Sequence, residues 1–137
     1  MVSTLAGNGS SGYLDGPSSI AQFKAPQDMC DDGFGNVYVA DADNQRIRLI
    51  NINTNIGMNT FMLPRFNLLL NVNKKLNKVS TFAGNGAIGI LDGPILNAEF
   101  SALGALFCQT SSSTTIFIID TLNYYYLRKI ENGLLII

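Results

Sequence analysis

The side chains able to do chemistry in this 137-residue chain fall into a few small sets. Asp41, Asn44, Arg46 and Arg48 sit within one short stretch, and Asp120, Asn123 and Arg128 follow later in the same order. Asp and Asn at this spacing can accept bonds from turn N–H groups and tolerate unusual backbone angles, so structural turn capping is their first reading. The arginines are suited to a phosphate or an acidic ligand, but with Asp41 and Asp43 close by, local ion pairs on a strand surface are the simpler expectation. Asp15 and Asp92 lie in glycine-rich stretches that could offer oxygens to Ca²⁺. One carboxylate per loop falls well short of the roughly 6 to 8 oxygens that such an ion takes. No metal ligand and no cofactor is assigned.

The runs Gly7-Asn8-Gly9 and Gly84-Asn85-Gly86 invite a phosphate-loop reading, but no Lys-Ser/Thr follows them and no helix begins there. Tight connections are expected instead, with Gly7, Gly9, Asp15, Gly16, Gly84, Gly86, Asp92 and Gly93 as loop residues. The run Tyr124-Tyr125-Tyr126 can present a stacking surface to a base or sugar, although alternation along a strand buries at least one ring. Cys30 and Cys108 are too few for a disulfide scaffold and too far apart in sequence for a metal knuckle; small, buried, inert thiols are expected. Histidine is absent, which removes the usual general base and the usual partner of a nucleophilic Ser or Cys. No catalytic residue is assigned.

Composition narrows the classes further. Apolar residues make up 47% and charged ones 14%, as in an ordered domain. With 9 Lys plus Arg against 10 Asp plus Glu and a pI near 5.1, no global field attracts nucleic acid, and Lys74, Lys75 and Lys78 form the only basic cluster. No apolar run reaches membrane-spanning length and no targeting segment is visible, so the compartment stays open.

What must position these residues is a repeat. Val2-Ser3-Thr4-Leu5-Ala6-Gly7-Asn8-Gly9 returns as Val79-Ser80-Thr81-Phe82-Ala83-Gly84-Asn85-Gly86, an offset of 77 (79 minus 2). The match continues through Asp15/Asp92, Gly16/Gly93, Pro17/Pro94 and Phe23/Phe100. With small gaps it also aligns Cys30 with Cys108, Asp41 with Asp120, Asn44 with Asn123 and Arg48 with Arg128. Within a unit, short β-rich runs alternate with Gly, Asn and Asp. Pro26 to Cys30, Asn36 to Ala40, Arg46 to Ile50 and Val79 to Ala83 read as four strands. In the third, Ile47 and Leu49 alternate with Arg46 and Arg48, as in an outer strand with its arginines in solvent. Four antiparallel strands followed by a crossing describe a propeller blade.

The residues Gly35-Asn36-Val37-Tyr38-Val39-Ala40-Asp41, then Asn44, then Arg46-Ile47-Arg48, with the Ala-Gly-Asn-Gly…Asp-Gly linker, resemble the NHL repeat family. The resemblance covers roughly residues 2 to 50 and 79 to 130. It implies an all-β fold, a partial β-propeller of about two four-stranded antiparallel blades with an insertion. Residues 1–25 would be an orphan outer strand (Val2 to Ala6) and a Gly-rich crossing, 26–83 the first blade, 84–103 a second crossing, and 104–137 a degenerate second blade. That second blade has no match for Pro26, and Leu134 to Ile137 begin its last strand after the Glu131-Asn132-Gly133 turn. In the first, Asp28 stands where such repeats usually carry glycine.

The stretch from Asn51 to Lys78 far exceeds a hairpin loop of about 2 to 5 residues. Removing residues 57–78 would restore a unit of ordinary length, so this is an insertion, either a tolerated loop or a translated non-coding segment. For function, the expectation is a non-catalytic NHL-repeat segment, a binding or scaffold platform for a protein or small ligand through propeller-face loops. The alternative is part of a metal-dependent lactonase or lyase-type propeller whose catalytic residues lie elsewhere. Two blades cannot close a ring of roughly 4 to 8, so the remaining blades of a parent protein, or copies of this chain, are expected partners.

Overall fold

The computed structural model describes residues 1–52, 77–111, 113–121 and 125–137. Two five-stranded antiparallel sheets account for most of them. In the first, β2 (Pro26–Asp31), β3 (Asn36–Asp41), β4 (Arg46–Asn51) and β5 (Lys78–Ala83) form a meander. A two-residue strand, β1 (Gly16–Pro17), adds to the free side of β5. The second sheet repeats this with β7 (Leu103–Thr110), β8 (Thr114–Asp120), β9 (Tyr126–Glu131) and β10 (Leu134–Ile136), and β6 (Gly93–Pro94) on the far side of β10. These are blade-like sheets. The strands form where β-branched and aromatic residues concentrate, as in Asn36-Val37-Tyr38-Val39-Ala40-Asp41 and Thr114-Thr115-Ile116-Phe117-Ile118-Ile119-Asp120. The hairpin between β9 and β10 turns on Asn132 and Gly133, both at positive φ, the pairing that a two-residue turn requires.

Three expectations need correction. Each sheet has five strands, because the Gly-Pro of the crossing pairs through Gly16↔Val79 and Pro17↔Lys78 in the first and Gly93↔Leu135 and Pro94↔Leu134 in the second. Strand β4 is central, bonded to β3 and β5 on its two sides, and not an outer strand. Val2 to Ala6 form no strand, and residues 1–5 are exposed. Of the insertion, residues 57–76 lie outside the described residues; its last residues do not, since Lys78 opens β5 opposite Asn51.

The sheets pack face to face. Tyr38, Ala40, Ile47 and Ala83 of the first meet Leu103, Leu106, Ile116, Ile118, Ile130 and Leu135 of the second, with Ala98 and Phe100 of the crossing between them. A smaller cluster of Ala21, Val39, Ile50 and Val79 lies on the other side of the first sheet. Gly84, at φ +95°, marks a close approach: a Cβ there would run into the Gln45 carbonyl oxygen and the Phe100 ring.

Cys30 and Cys108 are joined in a disulfide between β2 and β7, with Cα atoms 5.6 Å apart. They are neither free thiols nor equivalent positions. Cys30 stands opposite Tyr38 and Cys108 opposite Ile116, whereas the repeat that aligns Asp41 with Asp120 (offset 79) makes Phe117 the counterpart of Tyr38. The cysteines are offset by 78. A one-residue difference moves a side chain to the opposite face of a strand, so the two sulfurs point toward each other across the packed faces.

Candidate functional site

The motif charges assemble into two matching buried clusters. Arg48 projects from β4 beneath the crossing that precedes its blade, and both it and Asp41 are 0% exposed. Its Nη1 donates to Asp41 Oδ2 at 2.7 Å and to the Gln22 carbonyl at 3.0 Å. Nη2 donates to Asp15 Oδ1 at 2.5 Å and the Leu14 carbonyl at 2.9 Å, and Nε to Asp15 Oδ1 at 3.2 Å. Every face of the guanidinium is thus occupied, as a buried cation requires. Asp41 also accepts from the Lys24 N–H and from Asn44 Nδ2. Asp15 spends its other oxygen on the Thr81 N–H and hydroxyl. The Phe23 and Tyr13 rings lie near the cation, with centroids 5.1 and 4.9 Å from its central carbon.

Blade two repeats the arrangement. Arg128 donates from Nη1 to Asp120 Oδ2 (2.8 Å) and the Glu99 carbonyl (2.6 Å). From Nη2 it donates to Asp92 Oδ1 (2.8 Å) and the Leu91 carbonyl (3.0 Å). Asp120 accepts from the N–H groups of Ser101 and Ala102, Asp92 from the N–H of Ile137, and the Phe100 ring replaces Phe23 beside the cation. The chemistry these clusters perform is anchoring, since each ties a glycine-rich crossing to the central strand of the blade that follows it.

The sequence placed Arg48 in solvent; it is buried because the crossing supplies carbonyls and a second carboxylate to it. Asp41 caps no N–H of its own turn, Ala42–Asn44. Asn44 reaches from that turn to the Gly12 carbonyl. Arg46 bonds the Asn44 and Asn85 carbonyls, joining blade one to the next crossing, and lies over the Tyr13 ring. Gly7, Gly9, Gly84 and Gly86 all adopt positive φ in the crossings, and Gly16 and Gly93 do so within β1 and β6. Asn123 and Tyr124 lie outside the described residues. Tyr125 is 91% exposed, and Tyr126 opens β9 opposite Asp120.

Two features were not read from the sequence. Asp28, where a glycine was expected, accepts from the Leu106 N–H at 2.8 Å and so bonds one blade to the next. Asp32, buried, accepts from the N–H groups of Phe34 and Asn36 and from Asn36 Nδ2. Burial pushes the pKa of its carboxyl upward, but the Asn36 side chain and these N–H donors outweigh it and hold the pKa below the ordinary carboxylate value. Burial first, then the Asp32 charge and hydrogen bond, raise the neighbouring Tyr38 phenol above its usual range.

An open groove of about 580 Å³ lies between the first sheet and the residues that precede it, lined by Leu5, Ala6, Phe23, Met29, Val39 and Ile50 among others. Among the described residues no three His, Cys, Asp or Glu side chains are grouped as a metal site. No helix among them is long and apolar enough to cross a membrane.

No protein-family model matches the chain, and no curated protein matches it in sequence. Its fold has solved counterparts. One is an auxiliary nutrient binding protein from Bacteroides thetaiotaomicron, superposed with a TM-score of 0.61 over 93% of this chain at 22% identity. The chain spans 28% of that protein's length. The likeness is one of fold.

Proposed function

We propose that the chain is an NHL-type propeller segment that serves as a non-catalytic platform for a small ligand or a protein. The observation that carries this reading is the fate of the charged motif. Arg48, Asp41 and Asp15, and likewise Arg128, Asp120 and Asp92, are committed to holding crossings on blades, which leaves recognition to exposed loops and blade edges. The solved protein of similar fold is named for nutrient binding, which favours a small molecule. Tyr125 is the contact residue we assign, since it offers a broad exposed face immediately before β9.

Thermal unfolding of the chain with panels of amino acids, saccharides and short peptides tests the reading. One class should raise the midpoint saturably, by the equivalent of about 2.7 kcal/mol at 100 times its dissociation constant. Tyr125→Ala should abolish the shift without lowering the unliganded midpoint. Stoichiometric metal in the purified protein, together with lactone hydrolysis, would overturn the proposal in favour of an enzyme.

A further inference from the structure

Both cysteines of the chain are consumed in one bond. Cys30 and Cys108 tie β2 to β7, both pack against the core cluster between the sheets, and no free cysteine remains. Partly buried and joining residues 78 apart, the bond is structural, and structural disulfides belong to secreted and extracellular proteins. The same chain carries one Asn-x-Ser/Thr triplet, Asn8-Gly9-Ser10, with a residue other than proline in the middle. In a protein on that route, this triplet is the acceptor for N-linked sugar.

The fold presents the triplet at the surface. Asn8, Gly9 and Ser10 are all exposed in the first crossing. The turn is moored by the Gly7 N–H, which donates to the Ser18 carbonyl at 2.8 Å, and by the Asn8 N–H, which donates to the Ala21 carbonyl at 3.0 Å. Asn8 Oδ1 accepts from the Ser10 N–H at 2.8 Å, an Asx turn that folds Ser10 back against the carboxamide. Asn8 Nδ2 has no hydrogen-bond partner among the described residues. The second unit makes the same turn without the hydroxyl: in Asn85-Gly86-Ala87, Asn85 Oδ1 accepts from the Ala87 N–H at 2.7 Å. The Ser10 hydroxyl is therefore not needed to form the turn, which leaves it for recognition. The second turn also shows what a blade in front does to such a site. Arg46 of the first blade donates to the Asn85 carbonyl at 2.8 Å, yet Asn85 and Ala87 stay exposed. A blade preceding Asn8 in the same way leaves that side chain open.

We infer that Asn8 is a site of N-linked glycosylation and that the protein is made on an oxidising secretory route. The donor is a polyprenyl-diphosphate-linked oligosaccharide, and the catalyst is a separate transferase. Asn8 Nδ2 attacks the anomeric carbon, the C–N bond forms and the C–O bond to the diphosphate breaks. The electron pair leaves with the lipid diphosphate, and the amide nitrogen gives up one proton to a base of the transferase. The site stands apart from the ligand platform, so either reading can fail without the other.

Mass spectrometry of the protein from its native cells, digested with trypsin without reduction, tests this. The peptide ending at Lys24 should carry a series of hexose and N-acetylhexosamine masses. Peptide-N-glycosidase should remove them and leave an aspartate at the acceptor position. Ser10→Ala and Asn8→Gln should abolish the modification, whereas Ser10→Thr, which keeps the hydroxyl, should retain it. Alanine already holds this place in the second unit, so Ser10→Ala should unfold at the same urea concentration as the deglycosylated parent. An unmodified Asn8 in the native protein, free thiols at Cys30 and Cys108 there, or a glycan that persists in Ser10→Ala would each overturn the inference.

Discussion

Arg48 is held by five hydrogen bonds to two carboxylates and two carbonyls, with no water-facing edge. Removing the cation leaves Asp41 buried beside an oxygen-rich hole, and breaking such a pair costs about 3 to 5 kcal/mol. Arg48→Met should therefore lower the unfolding free energy read from urea titration by that amount. Arg48→Lys should recover only part, since an ammonium cannot reach four acceptors in a planar fork. Asp15→Asn should cost far less, its side chain being 38% exposed and its pairing screened by solvent. If Arg48→Met and Asp15→Asn cost the same, the anchoring account fails. Asp32 gives a pH test. Its folded pKa lies below the unfolded value, so its contribution is full above about pH 5 and is lost as pH falls through the unfolded and then the folded pKa. The stability gap between wild type and Asp32→Asn should shrink below about pH 4. The motif residues were legible as a set because they recur together in both units. Their roles were not: Asp15 and Arg48 are 33 residues apart, and local spacing suggests only the nearer Asp41 and Asp43 as partners.

Strand runs rich in Val, Ile, Tyr and Phe were readable to within a residue or so: Pro26 to Cys30, Asn36 to Ala40 and Arg46 to Ile50 each extend by one. Gly16–Pro17 and Gly93–Pro94 were not, because neither residue favours strands and only tertiary pairing with β5 and β10 makes them part of a sheet. The disulfide was hidden by alignment. Treating Cys30 and Cys108 as equivalent places them on like faces, whereas their true registers place them on facing ones. Joining residues 78 apart, the bond restricts the unfolded chain, a stabilisation that typically amounts to about 2 to 4 kcal/mol. Reduction with dithiothreitol should lower the unfolding free energy read from urea titration by that energy while the far-ultraviolet spectrum of the folded state persists, because each sheet keeps its own ladder. The Cys30→Ser/Cys108→Ser double variant should match the reduced protein. An insensitive midpoint would show that packing alone fixes the two blades.

The third and fourth strands of the first blade are joined by a continuous ladder on either side of their long connection. Asn51 faces Lys78, Ile50 faces Val79 and Leu49 faces Ser80, and β1 then covers the outer side of β5. Both ends of the connection are thus fixed by ladder bonds, and the buried Ile50 and Val79 pack on the same small cluster as Val39 and Ala21. Length in a connection of this kind acts chiefly through closure entropy, which rises only logarithmically. A chain lacking residues 57–77 retains Lys78 and shortens the loop roughly five-fold, for an expected gain of about 1.5 kcal/mol. The shortened chain should accordingly unfold at a higher urea concentration, with the disulfide formed. A lower midpoint would mean that residues 57–77 pack on the blade and contribute to its stability.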